Sequence, residues 1–200
     1  MAKPVPFAKI PHSGAPGPSA LPGPSGSGTY SRVAVRQVLT RPHRALSEAA
    51  RDIDPCDPAM VALAHVLTQT MRVSPACVGI AAPQIGESVR LFCMDVSGHK
   101  KARSCAGLVV MANPRIIARS GGTLMREGCM SVPHLTGNVL RAAEVTVEGL
   151  EPGSGRVVQV VADGIEARCL QHEIDHLDGF VFVDRVEDAT RDLFARKSYA

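Results

Sequence analysis

His172 and His176 stand four residues apart with Glu173 between them, in the stretch ARCLQHEIDHLDGFVF at 167–182. Imidazoles one helical turn apart can both reach a single divalent cation. The carboxylate beside the first is then too far round to be a good third ligand and is placed to take a proton from water. The same five-residue pattern also arises by chance on surface helices, so the missing third ligand matters. The zinc-protease continuation HExxHxxGxxH has Gly179 in place, but Phe182 stands where its last histidine belongs. No glutamate follows Glu187 to act from further downstream. The third ligand is therefore sought upstream, among Cys129, Cys169, His134 and His99. Cys169 shares the helix face but lies two turns before His176. Three ligands from one straight helix strain a tetrahedral site, and a small buried wall residue is the simpler role for Cys169. Cys129 sits in MREGCMSVP, read as a loop in which Gly128 lets the backbone bend and Glu127 and Ser131 flank the thiol.

Several elements must position these groups. DGIEARCLQHEIDHLDG reads as a helix, with Asp163 as cap, Glu166 completing a capping box and Gly179 as the stop. Cys169, His172, Glu173 and His176 share one face; Leu170, Ile174 and Leu177 share another, so a cavity over the polar stripe is expected. An earlier helix starts at Asp57 with Pro58 in its first turn and ends at Ser74 and Pro75. Met60, Leu63, Ala64, Leu67 and Met71 form its buried face. Short strands are predicted at 89–96, 108–111, 145–150, 157–161 and 180–183, with EPGSGR as a hairpin connection between the third and fourth. One early helix, many short strands and one late helix indicate an α+β fold.

A chain of 200 residues suits one domain with a tail, and a net charge of +3 is too mild to argue for nucleic acid or an anionic membrane. No apolar run reaches the roughly 20 residues of a membrane helix. The lack of Trp removes a stacking surface for single strands. Without a secretion signal, the cysteines are expected to be free thiols. Residues 1–29 are rich in Pro, Gly and Ser and read as a flexible extension, with 30–200 as the folded domain. A targeting segment is the alternative for the extension, since no acid precedes Glu48, although its prolines break any amphipathic helix.

Three segments in order, VGIAAPQIG at 78–86, EGCMS at 127–131 and QHEIDHLDG at 171–179, resemble the three motifs of peptide deformylases. The likeness runs from about Arg32 to Arg185. It implies antiparallel sheets around a central HExxH helix, with Cys129, His172 and His176 as metal ligands. It implies hydrolysis of the formyl group of N-formylmethionine on new polypeptides, with Glu173 moving the proton. The Gln84 side chain and the Met130 backbone N–H would serve as oxyanion donors. Val78, Gly79 and Cys169 would border the substrate, and an extended peptide would add to a strand edge. A sulfur and two imidazoles suit zinc in general. The resemblance implies iron(II), with zinc, nickel or cobalt able to substitute. Formylated nascent peptides would be the partners, the ribosome a transient one, and the cytoplasm the location, with an organelle as the alternative. Three positions depart from the usual pattern: Cys77 replaces Gly, Met130 replaces Leu, and Thr136 stands where many members carry a basic residue facing substrate. Those departures keep open a hydrolase of another N-acyl or carbamoyl group. A non-catalytic metal-binding protein is the reading from a different class, and Glu173, which a structural site does not need, argues against it. A general endopeptidase is weakened by Phe182.

Overall fold

Helix α1 (Pro58–Val73) begins where the sequence places it. Asp57 accepts a hydrogen bond from Ala59 N at 2.8 Å, and Pro58 supplies a first-turn residue that needs no N–H partner. Leu63, Ala64, Leu67 and Met71 are buried on one face, and Met60 packs partly buried beside them. The computed structural model describes residues 35–197. The extension over residues 1–29, the targeting alternative and the start of the domain at residue 30 lie outside the described residues. No helix among those described is long and apolar enough to cross a membrane.

Among the described residues eight strands follow in chain order: β1 (Gly79–Ala81), β2 (Leu91–Met94), β3 (Val109–Ser120), β4 (Thr123–Cys129), β5 (Val132–Arg141), β6 (Glu144–Leu150), β7 (Val157–Asp163) and β8 (Leu193–Ala195). Between β7 and β8 come helix α2 (Gly164–Leu177), a 3-10 turn (Phe182–Arg185) and the single-turn helix α3 (Ala189–Asp192). The strands form two antiparallel sheets, ordered β1-β2-β3-β6-β7 and β4-β5-β8. The fold is α+β.

Alternation along β2 explains the layering. Leu91 and Cys93 face α1 and pack with Leu67 and Met71, while Phe92 and Met94 face α2 and pack with Leu170, Ile174 and Leu177. Burying a leucine such as Leu67 stabilises the layer by about 1.5–3 kcal/mol. On its other side α2 meets the three-stranded sheet, so it is buried nearly all round. The predicted hairpin joins β6 to β7, with Leu150 opposite Val157. Gly153 and Gly155 adopt φ of +91° and +65° in its turn, a region that favours glycine.

Four expectations need correction. FVFV at 180–183 is no strand: Val181 and Phe182 are both buried, which breaks a period of two, and Asp184 accepts from Val181 N at 2.8 Å to close a 3-10 turn. The capping box at α2 does not form. Asp163 occupies the cap position, but its carboxylate accepts from Ser104 N at 3.2 Å, and Glu166 accepts from Ala106 N at 2.6 Å. Both acids therefore anchor the loop between β2 and β3 instead of the helix end. MREGCMSVP is not a loop but a hairpin of β4 and β5, with Cys129 opposite Val132. The run at 108–111 is only the start of β3, which continues to Ser120.

Candidate metal centre

The two-residue turn after β4 leaves Cys129 as that strand's last residue, pointing at α2. His172 and His176 face it from one side of the helix, ring centroids 4.9 Å apart and planes at 83°. Among the described residues this trio gathers, with one ligand atom from each lying within 4.8 Å of the others. Cys169, His134 and His99 do not join it. Cys129 Sγ is 3.3 Å from His176 Nε2 and is approached by Ser131 N at 3.4 Å and Gln84 Nε2 at 3.5 Å. Burial pushes the Cys129 thiol up, but His176 and His172 outweigh it and hold the group well below the ordinary thiol value. Burial, reinforced by the negative charge of Glu173, acts on the other cavity thiols, lifting Cys77 to about 12 and Cys169 well above its usual value. One thiolate and two imidazoles in a buried corner are the donor set of a borderline-soft divalent ion.

The surrounding shell orients these donors. His172 Nδ1 is 2.9 Å from Glu127 Oε2. Burial raises the Glu127 carboxyl, yet His172 and Arg141 more than offset it and keep it a carboxylate. Nδ1 therefore donates, which leaves Nε2 with a free lone pair for a cation. Arg141 grips Glu127 through two bonds of 2.8 and 3.0 Å, and Arg168 adds a third of 2.6 Å.

Glu173 is buried in front of the trio, and its Oε2 has no hydrogen-bond partner. Burial lifts its carboxyl to about 7, against the pull of His172 and His176. A carboxyl poised there can accept and return a proton near neutral pH. Gly79 makes room for it: a Cβ at that residue would stand 2.5 Å from Glu173 Oε1 and 2.8 Å from Cys169 Sγ. Gln84 accepts from Ala81 N at 2.9 Å, which turns its amide nitrogen toward Ser131 Oγ, 3.2 Å away, and toward Cys129.

A cavity of about 320 Å³ opens above this group. It is lined by Val78, Gly79, Gln84, Met130, Cys169 and Glu173, together with Cys129 and His172, while His176 lies behind the lining against Cys129. The metal, catalytic and substrate-bordering residues that the resemblance implies are thus in or directly behind one cavity, whereas His134 and Thr136 are not among its lining. Sequence reading missed Arg141 and Arg168, which hold Glu127, and Arg126 and Arg196, which line the mouth. Alternation along β4 puts Glu127 on the face of Cys129, but nothing in the sequence marked 123–129 as a strand.

A family model described as polypeptide deformylase matches residues 35–192. The peptide deformylase of Syntrophobacter fumaroxidans is 38% identical over 165 residues, covering 82% of this chain and 94% of that protein. A crystal structure of a peptide deformylase from Legionella pneumophila superposes with a TM-score of 0.70 at 37% identity, over 79% of this chain and 89% of that one. A class I type b peptide deformylase from Acinetobacter baumannii, solved with Met-Ala-Ser bound, gives a TM-score of 0.68 at 34% identity, over 77% of this chain and 99% of that one.

Proposed function

The chain belongs to the polypeptide deformylase family, metal-dependent hydrolases that remove the formyl group from the N-formylmethionine of nascent peptides, and from that premise we propose how its own residues carry the reaction. Cys129, His172 and His176 would hold one divalent ion, iron(II) in this reading, with zinc, nickel or cobalt able to substitute. When bound, that ion supplies a Lewis acid that lowers the pKa of water toward about 7. Glu173 takes the proton of the attacking water and returns it to the methionine nitrogen as the formyl C–N bond breaks, so formate and a free amino terminus leave. The Gln84 Nε2–H and the Met130 backbone N–H donate to the oxygen that gains charge on the formyl carbon. Val78, Gly79 and Cys169 border the methionine side chain. The peptide lies extended between the outer strands β1 and β4, each the first strand of its sheet. Met-Ala-Ser, bound by the Acinetobacter relative, is what formyl-Met-Ala-Ser leaves after loss of formate. Nascent chains as substrates make transient contact with the ribosome and a cytoplasmic location part of the same reading.

One observation carries this proposal: a thiolate and two imidazoles converge beside a buried carboxyl whose pKa is lifted to about 7. The test is formate release from formyl-Met-Ala-Ser by protein loaded with iron(II) or nickel(II). No formate at one metal per chain would overturn the roles. Glu173→Gln should keep its metal and lose turnover by about 10²–10⁴-fold. Turnover close to wild type would remove the proton-carrying role.

A further inference from the structure

The mouth of the cavity carries a second chemistry. On the outward face of the small sheet, Arg126 of β4 lies opposite Asn138 of β5, and Gly128 lies in a row with Thr136 and with Phe194 of β8. Arg126 donates to Asn138 Oδ1 at 3.1 Å and Thr136 Oγ1 at 3.3 Å, and its guanidinium sits 3.5 Å from the centroid of the Phe194 ring. Arg196 follows β8, with its N–H bonded to His134 O at 2.8 Å. Its guanidinium fills the space that a side chain at residue 128 would need. Both arginines line the cavity.

Neither guanidinium pairs with a carboxylate among the described residues. Glu127 is committed to Arg141, Arg168 and His172, and Asp192 to Arg191 and Asn138. Thr136 adds no charge where a basic residue was expected, and its hydroxyl instead holds Arg126 in place.

β4 is an edge of its sheet. A peptide whose formyl end sits by Cys129 and whose chain follows this edge runs antiparallel to β4. Strand side chains alternate between faces. If the methionine side chain enters on the Cys129 side, the next side chain rises on the opposite face, over Gly128 and beside Arg196. Building on the deformylase roles above, we propose that Arg196, supported by Arg126, selects formylated peptides with an acidic residue directly after the methionine. A carboxylate there gains charge-assisted hydrogen bonds from a fork that pairs with no carboxylate among the described residues, and a lysine meets repulsion. Arg196 is exposed, so the preference is modest, about fivefold in rate ratio.

The experiment compares kcat/KM for formyl-Met-Asp-Ser-amide and formyl-Met-Lys-Ser-amide, with formyl-Met-Ala-Ser-amide as reference. Wild type, Arg196→Glu and Arg196→Lys are measured. The Asp:Lys ratio should be about five in wild type, persist in Arg196→Lys, and fall below one in Arg196→Glu. It should shrink toward one in wild type as salt rises to about 1 M. Each ratio is taken on a single preparation, so a lower active fraction cancels. A wild-type ratio of one, or a ratio unchanged in Arg196→Glu, would overturn the assignment. No formate from the alanine peptide would instead overturn the deformylase roles on which it rests.

Discussion

The two sheets hold helix α2 by different physics. On the five-stranded side the contact is apolar: Phe92, Met94, Met111 and Val147 meet Leu170, Ile174 and Leu177. On the three-stranded side the buried apolar cluster shrinks to Cys129, Val139 and Phe182, with partly buried neighbours such as Leu135 and Leu193. The tie there is ionic. Arg141 bridges Glu127 and Asp175, and Arg168 binds Glu127 together with the carbonyls of Val139 and Thr123. Apolar burial has no preferred direction and supplies bulk stability. A hydrogen-bonded charge network is directional, and removing one member leaves the others buried without compensation. In this molecule the directional side is the one that aims His172. Stability and orientation are thus assigned to opposite faces of a single helix.

That division can be broken at its ionic centre first. Glu127→Ala deprives Arg141 and Arg168 of their shared partner and His172 Nδ1 of its acceptor. It should cost about 3–5 kcal/mol in urea unfolding. It should also weaken metal binding by about 10–100-fold in a chelator competition. Unchanged metal affinity would mean the network does not orient the site. The apolar side is tested across the large sheet, at Leu67, which is fully buried against Ile80 and Leu91. Leu67→Ala should cost about 2–5 kcal/mol with one metal per chain retained. Metal loss in that variant would show that the two faces are not separable. The smallest effect sharpens the contrast between buried and exposed charge: Arg115 pairs with Asp52 at 3.0 Å, both largely exposed. Arg115→Ala should change stability by only about 0–1 kcal/mol.

The same contrast explains what could be read along the chain. Strands β2, β6 and β7 announce themselves because the large sheet buries apolar residues and its runs are rich in Val, Leu and Phe. Strands β4 and β5 hide, since the face turned inward carries Glu127 and Arg141, and buried charges erase the alternation by which a strand is recognised. The C-terminal strand β8 is three residues long and pairs only because β5 is there to receive it, so Arg196 gave no signal of its place.

Local geometry was enough to put His172, Glu173 and His176 on one side of a helix and to start α1 at Asp57, because a turn of helix relates residues three and four apart and a cap acts within two. The motif order was enough to place the chain among the deformylases. The same motif order implied Cys129 as the sulfur that meets the imidazoles, but why Asp163 and Glu166 serve a loop instead of a cap, and that two arginines line the cavity, were decided by the tertiary structure alone. Those facts depend on segments up to some tens of residues apart returning to one point, and no spacing within a segment records where another will come to rest.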